Sequence, residues 1–391
     1  MNKEQTITLY RYVNQRYALD RFEDAALDEL LRYYNVAKKG ALKDISRAIK
    51  RNYNHRSRAR LTALLAEIDL RIETLTKKIT KPVAEAVGEA GAYSYRNTNA
   101  ILSWDGALDG FNNVALSAGQ IEALVIGEKL VDKNLQGWLW DALTAENGAL
   151  KAEIAAGRIR GVGYKKLLSE LGSRYDNLLS SKGNEQNLET VVKSYIQSMN
   201  AKAHKDIYEA NRDVIKGVEW SAIMENGNTK TGRGTCPRCM ALDGMEYSSV
   251  AVGPSCPLHP RCRCMYLPVT KSWKELGFGN EEREGLNTKY KKWYERSPSR
   301  KRLAYGLSDE GYEWFWRHQP EKWQNNAIGL VRANLVREGL IPFQAIVYKN
   351  GNLIPVERMV KMKGVYKGVN DKTLSEAWPT RKGNRSREKT K

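Results

Sequence analysis

Residues 234–247 read G-T-C-P-R-C-M-A-L-D-G-M-E-Y, and residues 256–267 read C-P-L-H-P-R-C-R-C-M-Y-L. Every cysteine of the chain lies in these two runs: Cys236, Cys239, Cys256, Cys262 and Cys264. Cys236-Pro-Arg-Cys239 is a two-residue knuckle, a spacing that lets two thiolates face one tetrahedral ion at about 2.3 Å. Asp243-Gly244 is a pair favoured in tight hairpin turns, so a small β-hairpin is expected over roughly residues 240–247. Side chains two apart in extended chain share a face, which brings Cys262 and Cys264 toward one point while Arg263 turns away. His259 reaches the same place if Pro260 makes a turn. Cys236, Cys239, His259, Cys262 and Cys264 thus compete for four places, with Cys256 a weaker sixth.

Other uses of these thiols fit less well. An odd number of cysteines crowded into one short stretch is a poor disulfide framework. Met240 follows the knuckle, so a C-x-x-C-H haem attachment is excluded. No βαβ pattern surrounds the pair as a thioredoxin-type site requires, and no local carboxylate orients a cysteine–histidine nucleophile. One structural zinc ion is the expected cofactor. Arg233, Arg238, Arg261 and Arg263 ring the cluster, where they would offset thiolate charge or meet phosphate.

Upstream, a strand over 217–223 is fed by a long helix over 187–213, with Val191, Tyr195, Met199 and Ala203 on one face and His204 as a surface or interface residue. Gly161 and Gly163 mark a turn between helices, the second starting at Tyr164; no Lys-Ser/Thr follows to make this a P-loop. Softer helical signals lie over 113–130 and 138–143. Leu61, Leu65, Ile68, Ile72, Leu75 and Ile79 form a heptad-like seam suited to bundle packing, interrupted at Pro82 by a kink or restart. Helices are expected over 22–34 and 41–53. Between Lys38 and Arg60 there are nine Lys and Arg against the single acid Asp44, with Lys39, Lys43, Arg47 and Lys50 at helical spacing. That stripe is either a solvated face or a phosphate contact.

Downstream, Trp273, Trp293, Trp314, Trp316 and Trp323 alternate with basic residues, among them Lys291, Lys292, Arg300, Lys301 and Arg302. These cations are candidate phosphate contacts; the tryptophans suit packing better than base stacking. Asn350-Gly351 marks a hairpin over 345–358, and the chain from Pro379 reads as a flexible basic tail. The expected fold is mainly α with a small α+β zinc-ribbon-like module. It comprises an elongated helical region (1–215), the Cys/His knuckle module with its β-hairpin (216–270), a mixed Trp-rich extension (271–378) and the tail (379–391).

The 391 residues carry a formal net charge of +19, which calls for a polyanionic neighbour, nucleic acid foremost. No apolar run reaches the length of a membrane span, and the polar start lacks a signal-peptide core, so an intracellular place of synthesis is expected.

The order W-S-A at 220–222, T-C-P-x-C-x-A-L-D-G-x-x-Y at 235–247 and P-L-H-P-R-C-R-C at 257–264 resembles the head-morphogenesis family of tailed phages, the minor head proteins of the phage Mu F type. Residues 226–234 look like a Gly-rich insertion against that pattern, and Cys256 departs from it. The resemblance implies a low-copy structural protein in the capsid interior near the portal, present in the host cytoplasm during assembly. Implied partners are the portal protein, a major capsid or scaffold subunit, and double-stranded DNA bound without sequence preference; no membrane is involved. No paired-carboxylate, G-x-S-x-G, H-E-x-x-H or Walker A motif assembles, so no catalytic residue is expected. Two further readings stand beside this one: a zinc-ribbon nucleic-acid-binding regulator, and a minor head protein whose C-terminal part is an effector or toxin.

Overall fold

A computed structural model of the chain describes residues 3–54, 56–103, 111–130, 132–144, 147–179, 182–222, 224–225, 235–272, 274–277, 293–296, 301–304 and 316–361. The fold is mainly helical, with a small three-stranded sheet beside the cysteine segment. The chain divides into two units, one of residues 10–210 with 259–262, the other of 1–9, 211–258 and 263–391.

Among the described residues the first unit holds seven helices: α1 (Lys3–Asn52, from residue 10 on), α2 (Arg58–Ser103), α3 (Ala118–Gly127), α4 (Leu135–Thr144), α5 (Asn147–Ile159), α6 (Tyr164–Leu179) and α7 (Lys182–Ala210). The two helices expected before residue 54 are one, because nothing between Tyr34 and Ala41 breaks the pattern: Leu30, Tyr34, Ile45 and Ile49 continue a single buried stripe. The seam on α2 is buried from Leu61 through Ile79 except that Leu64 takes the buried place expected of Leu65, which is only partly covered, and the helix runs on past Pro82 without a break. An interior proline costs roughly 3 kcal/mol. Ile79, Val83 and Val87 are all but fully buried around it, and each such side chain contributes about 1.5–3 kcal/mol. Packing therefore outweighs the missing hydrogen bond.

α7 is buried almost all round from Val191 to Asn200, apart from Lys193. A helix apolar on most sides belongs in the middle of a bundle, and Leu188, Val192, Tyr195, Ile196 and Met199 share a core with α1–α4. A second core joins the far end of the α1–α2 pair to α5 and α6 through Ile49, Tyr53, Leu64, Ile154 and Leu167. His204 is not a surface residue. It is 1% exposed, edge-on to Tyr12 and stacked on Tyr208, with ring centroids 5.6 Å away in both cases. A buried charged network lies on α1: the Arg16 guanidinium donates to Asp20 at 2.6 Å and to Glu23 at 3.3 Å, and Gln197 donates to Glu23.

In the second unit, β1 (Ile215–Ser221) is the central strand of a sheet ordered β3-β1-β4, antiparallel throughout. β2 (Met224–Glu225) follows it, then the short α8 (Pro237–Leu242), β3 (Glu246–Tyr247) and β4 (Met265–Thr270). β2 heads a second sheet with β5 (Trp293–Arg296) and β6 (Lys301–Ala304). The hairpin expected over 240–247 is replaced by a helix-to-strand turn. Cys236 caps α8 and Pro237 sits at its first position, where its ring and missing N–H suit a helix start. Asp243-Gly244 does turn the chain, with Gly244 at φ 81°.

The C-terminal part adds α9 (Glu321–Ile328), α10 (Leu330–Arg337), a 3-10 turn (Phe343–Ile346) and α11 (Val356–Lys361). The expected hairpin at Asn350-Gly351 is reduced to one bridge, Val347 to Leu353. Trp316 is fully buried against Phe343, a packing role as the sequence suggested. Trp273 and Trp314 lie outside the described residues.

Gly217 yields a prediction. A Cβ on it would lie 2.8 Å from the Tyr247 carbonyl oxygen of the paired strand, whereas one on Gly91 would meet the flexible end of Met199 at 2.9 Å. Backbone cannot step aside as a methionine terminus can. Gly217→Ala should cost about 1–3 kcal/mol and Gly91→Ala under about 1 kcal/mol in urea unfolding; equal losses would contradict the close approach of β1 and β3.

Candidate metal centre

The two cysteine runs come together through the strands that flank them. Trp220 N–H donates to the Met245 carbonyl at 2.9 Å, and Gly244 N–H donates to the Trp220 carbonyl at 2.8 Å. Asp243, buried, accepts from the Ala222 N–H at 2.9 Å. W-S-A and L-D-G are therefore two halves of one hydrogen-bonded corner, and α8 with its knuckle is fixed directly before it. β4, paired with β1 in unbroken register from Gly217 to Ser221, fixes the other run directly after Cys264.

Two groups of ligand atoms result. Cys236, Cys239 and His259 lie within 4.8 Å of one another, as do Cys239, Cys262 and Cys264. Cys239 belongs to both. In a tetrahedral thiolate site the ligand sulfurs stand about 3.8 Å apart, so either group needs only a small contraction to close on an ion. The five residues expected to compete for metal are the five brought together, and Cys256 is in neither group. Its thiol donates to the Cys264 carbonyl at 3.1 Å.

The donor chemistry suits zinc. Cys236 Sγ accepts from the Cys239 N–H at 3.4 Å, the amide-to-sulfur contact that supports a thiolate at the start of a helix. His259 Nδ1 stands 2.8 Å from the Pro260 carbonyl. A proton on Nδ1 donating there leaves Nε2 as the metal-binding nitrogen, the usual orienting arrangement for a ligand histidine. Cys239, Cys262 and Cys264 are buried, and Cys236 and His259 are half-buried. Each group brings three protein donors to one point, and Cys239 is shared between the two.

Beneath the cysteines lies an aromatic layer. Tyr266 packs edge-on against Trp220 at 5.2 Å and Tyr247 at 6.0 Å, and its hydroxyl donates to the Pro254 carbonyl at 2.6 Å. Burial, then the neighbouring Cys256 and Tyr247, push the Tyr266 phenol far above its ordinary range. Burial alone pushes Tyr247 up to about 12. Both phenols stay neutral and serve as packing.

The arginine ring is not what the sequence suggested. Arg261, the one described non-glycine residue with positive φ (61°), lies along α7. Its backbone N–H donates to Ser194 Oγ at 2.9 Å, Nε to Thr190 Oγ1 at 2.7 Å and Nη2 to the Gln186 carbonyl at 2.9 Å, with Glu189 3.4 Å away. Arg238 donates to the Gly351 carbonyl at 2.5 Å and to Asn352 Oδ1 at 3.2 Å. Both are engaged by protein acceptors, and Arg263 is half-buried. Arg233 lies outside the described residues. The spacing of the motif carries no signal for these contacts, because their acceptors come from distant parts of the chain.

Of the candidate phosphate contacts, Lys39, Lys43, Arg47 and Lys50 are exposed along one stripe of α1, with Arg47 3.3 Å from Asp44. Lys291, Lys292 and Arg300 lie outside the described residues. Lys301 and Arg302 are on β6, opposite Arg296 and Glu295 of β5. Among the described residues no helix is long and apolar enough to cross a membrane. Set against family models, curated proteins and solved structures, the chain finds no match in any of the three.

Proposed function

We propose that this chain is a nucleic-acid-binding protein whose small cysteine module is held in shape by one zinc ion. The observation that carries the reading is the convergence of Cys236, Cys239, His259, Cys262 and Cys264 in a chain of net charge +19. The ion acts as a structural clamp: it replaces the apolar core that so short a segment cannot build. The cations of α1 supply a phosphate-facing surface, which positions the protein on a duplex; base contacts would be needed for selectivity. The test is duplex binding by the full chain at several salt concentrations, with zinc content measured on the same sample. Binding that weakens steeply with salt is expected. No binding at low salt, or a metal-free protein, would overturn the reading. Comparing random duplexes with an enriched selected sequence separates a regulator from a sequence-blind binder.

A second reading rests on the order of Trp220-Ser221-Ala222, Thr235 to Tyr247 and Pro257 to Cys264, which resembles the phage minor head proteins. In that reading the helical unit docks on a portal or capsid subunit and the basic surfaces neutralise packaged DNA. Capture of a portal subunit by the helical residues supports it. Capture by residues 271–391 alone would contradict that assignment, and loss of host viability on expressing those residues would favour an effector instead.

A further inference from the structure

The fold joins two basic turns that lie a hundred residues apart. Tyr53, at the end of α1, is buried and donates its hydroxyl to the Val162 carbonyl at 3.0 Å, in the turn between α5 and α6. Gly157 makes room for this: a Cβ there would meet Leu167 at 2.6 Å and the Tyr53 hydroxyl at 3.4 Å. Val162 and Leu167 share the core of Tyr53, Leu61 and Leu64, so the turn at 53–60 and the turn at 159–166 form one end of the helical unit. Burial raises the Tyr53 phenol most; Arg160 lowers it, Glu170 raises it and Arg158 lowers it, so residues 158–170 lie close to this end of α1.

Arg56, Arg58 and Arg60 are exposed on the first turn, and Lys165 and Lys166 on the second. None of the five makes an ion pair among the described residues, whereas Arg160 is held by Glu153 and Glu170 at 2.9 Å each. Ile159, at the crest between them, is 84% exposed. We infer that this composite end, Arg56, Arg58 and Arg60 with Lys165 and Lys166, is a docking surface for the phosphate backbone of a double-stranded nucleic acid. It rests on the nucleic-acid reading above and assigns the main contact to residues outside the α1 stripe. Arginine predominates on the first turn, and its planar fork matches phosphate oxygens in pairs. A lipid surface fits less well, since interfacial anchoring needs a broad apolar face and the crest offers a single isoleucine.

The experiment measures binding of the full chain to random-sequence DNA and RNA duplexes of equal length, and to phosphatidylserine vesicles, between about 50 and 200 mM salt. Each phosphate contact contributes about 0.9 to the slope of log affinity on log salt. The variant Arg58→Gln/Arg60→Gln should therefore flatten the slope by about 2, as should Lys165→Gln/Lys166→Gln, and the four together by about 3–4, with about a hundredfold loss of affinity. Lys39→Gln/Lys43→Gln serves as the comparison, and helical circular dichroism checks that each variant is folded. A DNA-bound and an RNA-bound arm responding alike would assign the surface to the backbone shared by both. Wild-type binding with an unchanged slope in the four-fold variant would overturn this inference and leave the broader reading standing. So would a loss confined to vesicles, or to the α1 comparison. A wild type that binds no duplex would overturn both.

Discussion

Cys239→Ser should strip the protein of its zinc and unfold the cysteine segment. Cys239 is the one residue common to both ligand groups, and it is 1% exposed. Serine keeps the size but supplies no thiolate, so neither group can close. Structural zinc contributes on the order of 10 kcal/mol or more in small finger peptides, far above the roughly 0.5–3 kcal/mol of an ordinary substitution. Limited proteolysis should then cut within residues 235–272, which the native protein should protect. Cys256→Ser is the contrast: its thiol donates to the Cys264 carbonyl and lies in neither ligand group, so that variant should keep its metal and lose about 1 kcal/mol. If Cys239→Ser retained one zinc per chain and resisted the protease, Cys239 would not be a ligand.

Arg16→Met should be the most damaging single change in the helical unit, costing about 3–5 kcal/mol. Arg16 is 2% exposed and bridges Asp20 and Glu23, themselves buried. Methionine fills most of the space but leaves two carboxylates in the bundle without the guanidinium that faces them, the situation in which one half of a buried ion pair is removed. Adding Asp20→Asn and Glu23→Gln to Arg16→Met should recover at least half of the loss, since neutral amides cost less to bury than charged groups. Chemical denaturation reads both. A loss under about 1 kcal/mol, or no recovery in the triple variant, would mean that the charges are not coupled. Added salt should change little, because a buried network is screened weakly.

The knuckle spacing, the seam on α2 and the helix carrying Val191, Tyr195 and Met199 were legible because each is a short-range pattern with one geometry. Pro82 lies inside the one long helix expected there and does not restart it, its local cost being offset by packing of Ile79, Val83 and Val87 that no window of sequence displays. Asp243-Gly244 signalled a turn, but the turn follows a helix, because Cys236-Pro237 starts one where a strand was expected. Arg261 and Arg238 read as free charge beside the cysteines; their acceptors, Thr190 and Gly351, are some seventy and over a hundred residues away. His204 reads in the sequence as a surface or interface residue because its aromatic neighbours, Tyr12 and Tyr208, meet only when α1 and α7 pack. The joining of the 53–60 and 159–166 turns through Tyr53 is likewise a property of the fold alone.

The central claim is that an ion held mainly by sulfur gives the cysteine segment its shape. Elemental analysis of the native protein, paired with thermal unfolding before and after a strong chelator, tests it most directly. One zinc per chain, and a transition that moves down by many degrees on chelation and returns with added zinc, is the expected result. A protein that purifies without metal and melts at the same temperature with chelator present would contradict it.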